Sequence, residues 1–261
     1  MDGDAVVPDD LETFLDELAQ ESDVILGARL IGLYVHGSVA MGSFVPGRSD
    51  LDLVMVVDEP LGVADKSELV RLLWRLSPPE DIRGVETHVV VAANLESVDL
   101  MTRSELFVSR HPGEPVTRDG GEDLELFVDL AMLREESLTV VGPPPDELIA
   151  PIDRTLVMST MVRKMKEKLG AEPESYAVLN AARTLVFEAT GKHVSKVDGG
   201  TWAIENGHPP GLLRRAIRVQ LGLRRDRPLG ADGRRFVQYV IDILDDAVSA
   251  EKSESGRRGR R

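Results

Sequence analysis

The sequence predicts an α+β protein: a mixed sheet flanked by helices over residues 1–150, an all-α helical bundle over 151–250, and a disordered basic tail over 251–261. Three observations carry that prediction. The first half alternates β-branched apolar runs with helical stretches, every convincing segment beyond Pro151 is helical, and Gly142-Pro143-Pro144-Pro145 between them is the strongest breaker in the chain.

Leu11, Phe14, Leu15 and Leu18 recur at helical spacing among acids, which predicts an amphipathic helix from Asp10 to Ser22. A strand follows over Leu30 to His36 and stops at Gly37-Ser38. Leu51 to Val57 is too apolar for an exposed edge, so it is predicted as a central strand ended by Asp58-Glu59-Pro60. Leu69, Leu72, Leu73 and Leu76 line one face of a helix over Asp65 to Leu76, broken by Ser77-Pro78-Pro79. In Val85 to Val91, Val85, Thr87 and Val89 alternate with Glu86, His88 and Val90, a third strand with two distinct faces. Helical periodicity resumes over Leu124 to Val140. The second half reads as helices over Thr155–Leu169, Glu174–Thr190, Gly211–Leu223 and Asp232–Ala250, with Gly191 placed as a C-cap and Val178, Ala182, Leu185 and Ala189 as the buried side of the second.

Composition narrows the classes of function. Acidic residues number 45 against 31 basic, a net charge of −14, and the stretch Glu251–Arg261 holds five cations and two anions, so the rest stands at −17. A field of that sign repels phosphate backbones, which argues against nucleic acid, and it attracts a cationic small-molecule acceptor, although surplus carboxylate more often serves solubility alone. With no cysteine, thiolate catalysis and thiolate-bound zinc are excluded. The start Met-Asp-Gly-Asp lacks the basic and apolar stretches of a secretion signal, and no segment approaches a membrane span, so a cytoplasmic protein is expected; a monomer is a separate expectation, which the sequence does not test.

The chemistry concentrates in His36-Gly37-Ser38, an eleven-residue gap, and Asp50-Leu51-Asp52-Leu53. Gly37 ends a strand where a residue without a side chain lets a phosphate approach the backbone; Ser38 adds a hydroxyl and opens a short helix. Asp50 and Asp52 point to one face while Leu51 and Leu53 enter the core, so two hard anionic ligands stand together, suited to bridging two Mg²⁺ ions. If the Glu86 strand lies beside the Asp52 strand, Glu86 is the third carboxylate, a metal ligand or a general base. Any one of these acids alone would suit a solvated turn or strand. A charge inside an otherwise apolar central strand is costly without a partner, however, and that favours the metal reading. The five histidines form no His-Glu-x-x-His pattern and there is no P-loop, so neither a zinc hydrolase nor a P-loop enzyme is indicated.

The pattern apolar-Gly-Ser, eleven residues, Asp-apolar-Asp-apolar resembles the polymerase-beta-type nucleotidyltransferase superfamily. From Leu11 to Ala247 the chain looks like the aminoglycoside adenylyltransferases that modify streptomycin and spectinomycin, with further matching segments at Asn180-Ala181-Ala182-Arg183, Thr190-Gly191-Lys192, Ser195-Lys196-Val197-Asp198 and Gly200-Thr201-Trp202-Ala203. The resemblance implies an N-terminal nucleotidyltransferase domain joined to a helical bundle, ATP as co-substrate, Mg²⁺ on Asp50, Asp52 and Glu86, and Glu86 as the base that takes the acceptor proton. It further implies that Gly37, Ser38 and Ser49 contact the triphosphate, with Arg183 and Lys196 reaching it from the bundle; Arg183 shares a helix face with Asn180 and Phe187.

The chain departs from streptomycin-modifying relatives at the drug positions. His111 stands where they place an aromatic residue after the Glu105-Leu106 equivalent, and ahead of Asn180 this chain offers Lys164, Leu169 and Pro173, with Glu172 and Glu174 nearby. His111 and Glu174 are therefore the candidate acceptor contacts, and spectinomycin, smaller and less charged, is the expected drug. Two alternatives stay open: a protein or other metabolite as acceptor, or a nucleotide-binding module without turnover.

Overall fold

The structure is a computed structural model that describes residues 10–113, 115–169, 174–225 and 230–258. The chain divides into two compact units, Met1–Ile152 and Asp153–Arg261, two residues from the expected boundary.

In the first unit α1 (Leu11–Leu26) leads into β1 (Leu30–His36), a one-turn helix α2 (Gly37–Ala40), β2 (Leu51–Val57), α3 (Val63–Arg75) and β3 (Val85–Val91). Then come β4 (Arg103–Ser104), β5 (Leu106–Ser109), β6 (Val116–Arg118), β7 (Gly121–Glu122), α4 (Leu124–Glu135), β8 (Leu138–Val141) and α5 (Pro145–Leu148). Six strands form one mixed sheet in the order β6-β5-β3-β2-β1-β8, and β4 pairs with β7 in a separate ribbon. Only β2 and β3 run parallel, joined through α3; the other neighbours are antiparallel.

Strand alternation divides the apolar residues between two cores. Leu33, Val35, Leu51, Leu53, Val85 and Val89 pack against α1 and α3 on one face. Tyr34, Val54, Val56 and Val90 meet Leu126, Leu130 and Leu133 of α4 on the other. A sheet covered on both faces requires apolar strands, and this is why β2 carries so few polar residues.

One expected helix proves to be two elements. Helix α4 ends at Glu135, and Leu138–Val141, read as its last turn, is strand β8, antiparallel to β1. Without a breaker between Glu135 and Gly142 the helical pattern runs on in the sequence, but the run Leu-Thr-Val-Val has the β-branched content that an edge strand uses.

The second unit contains α6 (Arg154–Lys168), α7 (Glu174–Thr190), α8 (Lys196–Glu205), α9 (Pro210–Gln220) and α10 (Ala231–Arg258). Helix α7 packs against the other four. It is therefore buried nearly all round: Phe187, expected on the open face, is buried, and Ala189, expected inside, lies exposed in the last turn. Gly191 closes this helix at φ 73°, a left-handed conformation that suits glycine. Helix α8 carries Gly199 and Gly200 in its middle, which hides it from periodicity. These glycines are there for packing. A Cβ on Gly199 would lie 2.8 Å from Arg183 Cγ and 3.0 Å from its Cα. The last helix runs to Arg258, past the expected stop at Ala250, so Glu251–Arg258 has helical backbone; Ala, Glu and Lys at 250–252 are good helix formers. Residues 259–261 lie outside the described residues. Among the described residues no helix is long and apolar enough to cross a membrane.

Candidate active site

The sheet brings the expected carboxylates of β2 and β3 together through register. His36 pairs with Asp52, Asp52 with Glu86, and Glu86 with Ser109, so four polar residues from β1, β2, β3 and β5 form one row across the sheet. Neighbouring strands lie ~4.8 Å apart, which fixes Asp52 and Glu86 side by side whatever their rotamers. In the next row on the same face Tyr34, Val54, His88 and Phe107 follow in the same order, and Tyr34 and Val54 pack against α4.

Asp50 stands just before β2, and it is held to the loop that precedes β3. The amide of Arg83 donates to Ser49 O at 3.0 Å and the amide of Leu51 to Gly84 O at 2.9 Å. Arg83 then grips the Asp50 carboxylate with both arms, Nε to Oδ1 at 3.1 Å and a terminal nitrogen to Oδ2 at 2.8 Å. His111 Nε2 lies 3.7 Å from the same Oδ1.

Each acid thus has its own partner. Ser109, 4% exposed, donates from Oγ to Glu86 Oε1 at 3.0 Å. Asp52 turns its carboxylate toward Gly37, where φ is 68° and an added Cβ would run into Oδ2. Gly37 is therefore required by the neighbouring acid as well as by the turn, a constraint that the expected phosphate contact did not include. Burial raises the pKa of Glu86, opposed by the Ser109 hydrogen bond, and the charge of Asp50 raises it further. His36 is buried and lowered to about 3, first by burial and then by His88.

Ser38 sits half-buried at the start of α2, and its carbonyl accepts from Ser43 N at 2.8 Å. Ser49 is 5% exposed, and its Oγ accepts from Val45 N at 2.9 Å, so its hydroxyl closes the loop ahead of Asp50. Beside the row opens a hollow of about 470 Å³ lined by Glu86, Phe107, Ser109, His111, Val116, Arg118 and Glu125. His111 is thus placed with Glu86. Phe107, Ser109 and Glu125 belong to the same hollow and were not foreseen; Phe107 and Ser109 lie on a four-residue strand too short to read by alternation.

In the helical unit Lys196 Nζ rests 4.4 Å from the Tyr176 ring centroid, and Arg183 lies against Gly199. Glu174 has an internal engagement, accepting from Gly230 N at 2.7 Å with Arg234 3.9 Å from its other oxygen. Glu172 and Pro173 lie outside the described residues.

Among the described residues no group of three or more His, Asp or Glu side chains is placed so that it could hold a metal ion. The donor set nevertheless suits a hard divalent cation. Asp52 and Glu86 are register neighbours, Asp50 is near enough to raise the Glu86 pKa, and all three offer carboxylate oxygen.

A two-residue spaced acid pair after a Gly-Ser corner, with a third acid on the adjoining parallel strand, defines the class of nucleotidyltransferases. Residues 11–110 match the nucleotidyltransferase domain family, and residues 147–242 match the family of the C-terminal domain of aminoglycoside adenylyltransferases. A curated aminoglycoside (3'') (9) adenylyltransferase of Escherichia coli is 26% identical over 250 residues, covering 88% of this chain and 94% of that protein. The Shigella flexneri enzyme of the same name is also 26% identical, over 249 residues. The crystal structure of spectinomycin adenyltransferase AAD(9) from Enterococcus faecialis with ATP and spectinomycin has the same fold. Its TM-score is 0.73 at 20% identity, covering 89% of this chain and 98% of that one. The chain is an aminoglycoside adenylyltransferase-like nucleotidyltransferase.

Proposed function

We propose that the protein transfers AMP from ATP to a hydroxyl of an aminoglycoside or aminocyclitol antibiotic, and that spectinomycin is a better acceptor than streptomycin. The single observation that carries this reading is the row in which Asp52 and Glu86 stand as register neighbours beside the Gly37-Ser38 corner. The relatives named for this activity support it over most of the chain's length.

In this mechanism Glu86 accepts the proton of the acceptor hydroxyl. Burial has made it a stronger base than an ordinary carboxylate, and Ser109 fixes one of its oxygens. The freed oxygen attacks the α-phosphorus, the bond from that phosphorus to the bridging oxygen breaks, and pyrophosphate leaves. Asp50, Asp52 and Glu86 would hold Mg²⁺, which when bound supplies charge neutralisation at the attacking and leaving oxygens. Ser38 is assigned to the triphosphate, as are Arg183 and Lys196 by resemblance. The acceptor is assigned to the hollow beside Glu86, where His111 and Glu125 offer polar contacts and Phe107 an apolar wall. Glu125 would attract the ammonium groups of such a drug.

The test is incubation of purified protein with Mg²⁺, ATP labelled in its α-phosphate, and an acceptor panel that includes spectinomycin and streptomycin. Equal amounts of AMP-drug conjugate and pyrophosphate are expected, with spectinomycin preferred. A protein that binds ATP but labels no member of the panel rejects the proposed acceptor class.

A further inference from the structure

The pairing of Arg83 with Asp50 has no place in the transfer chemistry. Arg83 belongs to the loop between α3 and β3, and two main-chain hydrogen bonds hold that loop against Ser49–Leu51. Its guanidinium is 44% exposed and the Asp50 side chain 22%, so the pair sits at the open edge of the carboxylate group. Both Asp50 oxygens are engaged, and a fork-shaped cation matches a carboxylate in this geometry far better than a point charge does. A divalent ion seeking the same oxygens meets occupied lone pairs and a positive charge in hydrogen-bond contact with its ligand.

We propose that Arg83 is a resident counter-ion of the metal site, holding Asp50 when no metal is present and leaving that carboxylate when a divalent cation is taken. The proposal rests on the reading of Asp50, Asp52 and Glu86 as metal ligands. Its consequence is a site whose occupancy by metal alone is kept low. In the metal-free protein Arg83 offsets part of the repulsion among the acids, and it gives way when a competing cation arrives. Gly84 leaves this side of the carboxylate uncrowded: a Cβ there would lie 3.2 Å from Asp50 Oδ1 and 3.2 Å from the His111 backbone, tighter than an ordinary contact.

The experiment measures Mn²⁺ binding to the intact protein, without nucleotide, by the loss of free-ion paramagnetic resonance signal. Arg83→Gln is expected to bind Mn²⁺ about 3- to 10-fold more tightly than the parent, the effect of a partly exposed ion pair removed. Arg83→Lys, which keeps the charge and loses the fork, is expected to fall between them. In the parent protein, the Arg83 Nε–H resonance, assigned by its absence in Arg83→Gln, is expected to shift as diamagnetic Mg²⁺ saturates the site. Equal or weaker Mn²⁺ binding by Arg83→Gln overturns the proposal while leaving the metal reading intact, and so does an Nε–H resonance indifferent to Mg²⁺. If neither parent nor variant binds Mn²⁺, the metal reading fails and the proposal falls with it.

Discussion

The two units use polar side chains in different ways. In the sheet unit the acids are aligned by main-chain register, so His36, Asp52, Glu86 and Ser109 are neighbours because four strands pair as they do. In the helical unit three described polar groups serve the helices and their connections. Asp153 caps α6 by accepting from Leu156 N, Ser195 caps α8 by accepting from Asp198 N, and Glu174 accepts from Gly230 N. A site carried by sheet register tolerates little change in its members. Polar groups that cap and pack affect stability first, and chemistry only through it.

The sharpest way to test that contrast is to alter a charge in the row without altering its shape. Asp52→Asn is expected to lower adenylyl transfer by roughly a thousandfold, ~4 kcal/mol of transition-state stabilisation, because a neutral amide cannot replace a carboxylate in holding a divalent cation. The melting temperature should stay level or rise, since a like charge beside Glu86 has been removed. Turnover within tenfold of the parent would discard Asp52 as part of the site.

Two glycines make the same comparison with backbone space. Gly37→Ala meets the Asp52 carboxylate and a φ of 68°, so transfer should fall about a hundredfold, while the conformational strain costs about 1–2 kcal/mol. Gly199→Ala meets the backbone and Cγ of Arg183 instead, where a helix must shift as a whole, and the expected result is a loss of about 1–3 kcal/mol in stability with a raised KM for ATP, since Arg183 is assigned to the triphosphate. Denaturant unfolding and steady-state rates on the two variants give the answer. If Gly199→Ala loses stability with the KM for ATP unchanged, the assignment of Arg183 to the triphosphate is discarded.

Acid sensitivity should also divide the units. His36 is buried with its pKa lowered to about 3, so the unfolded chain binds a proton near pH 6.5 that the folded chain refuses. Stability is therefore flat above pH 6.5 and declines as the pH falls below it, by about 2 kcal/mol on reaching pH 5. His36→Gln should flatten this slope, and unfolding free energies measured from pH 7.5 to 5 would reveal it. An unchanged slope would mean that other groups set the acid limit.

The residues that sequence reading located and those it missed follow the same division. β1, β2 and β3 have the expected bounds because β1 and β2 are largely apolar runs with breakers after them and β3 alternates before its Val89–Val91 run. The pairing of Asp52 with Glu86 was accessible too, since each follows an apolar residue that must face the same core, Leu51 before Asp52 and Val85 before Glu86. Other features had no local signal. β8 lacks a breaker before it, α8 is interrupted by two glycines, and the grip of Arg83 on Asp50 depends on side-chain direction in a loop. Phe107 and Ser109 entered the site only through the pairing of β5 with β3.

Ser109 provides the finest test of whether the row acts as a unit. Its hydroxyl donates to Glu86 Oε1, so it fixes the rotamer of the base and leaves Oε2 for the incoming proton. Ser109→Ala removes one hydrogen bond to a charged group, ~1.5 kcal/mol, and is expected to lower kcat about tenfold with the KM for ATP unchanged. Ser109→Thr, which keeps the hydroxyl on a strand that favours β-branched residues, should recover most of that loss. A merely structural serine would behave otherwise: alanine and threonine would differ in stability but not in the split between kcat and KM. Equal rates for the parent and Ser109→Ala would show that the row is a geometric coincidence beyond its two central acids, and would confine the chemistry of the sheet to β2 and β3.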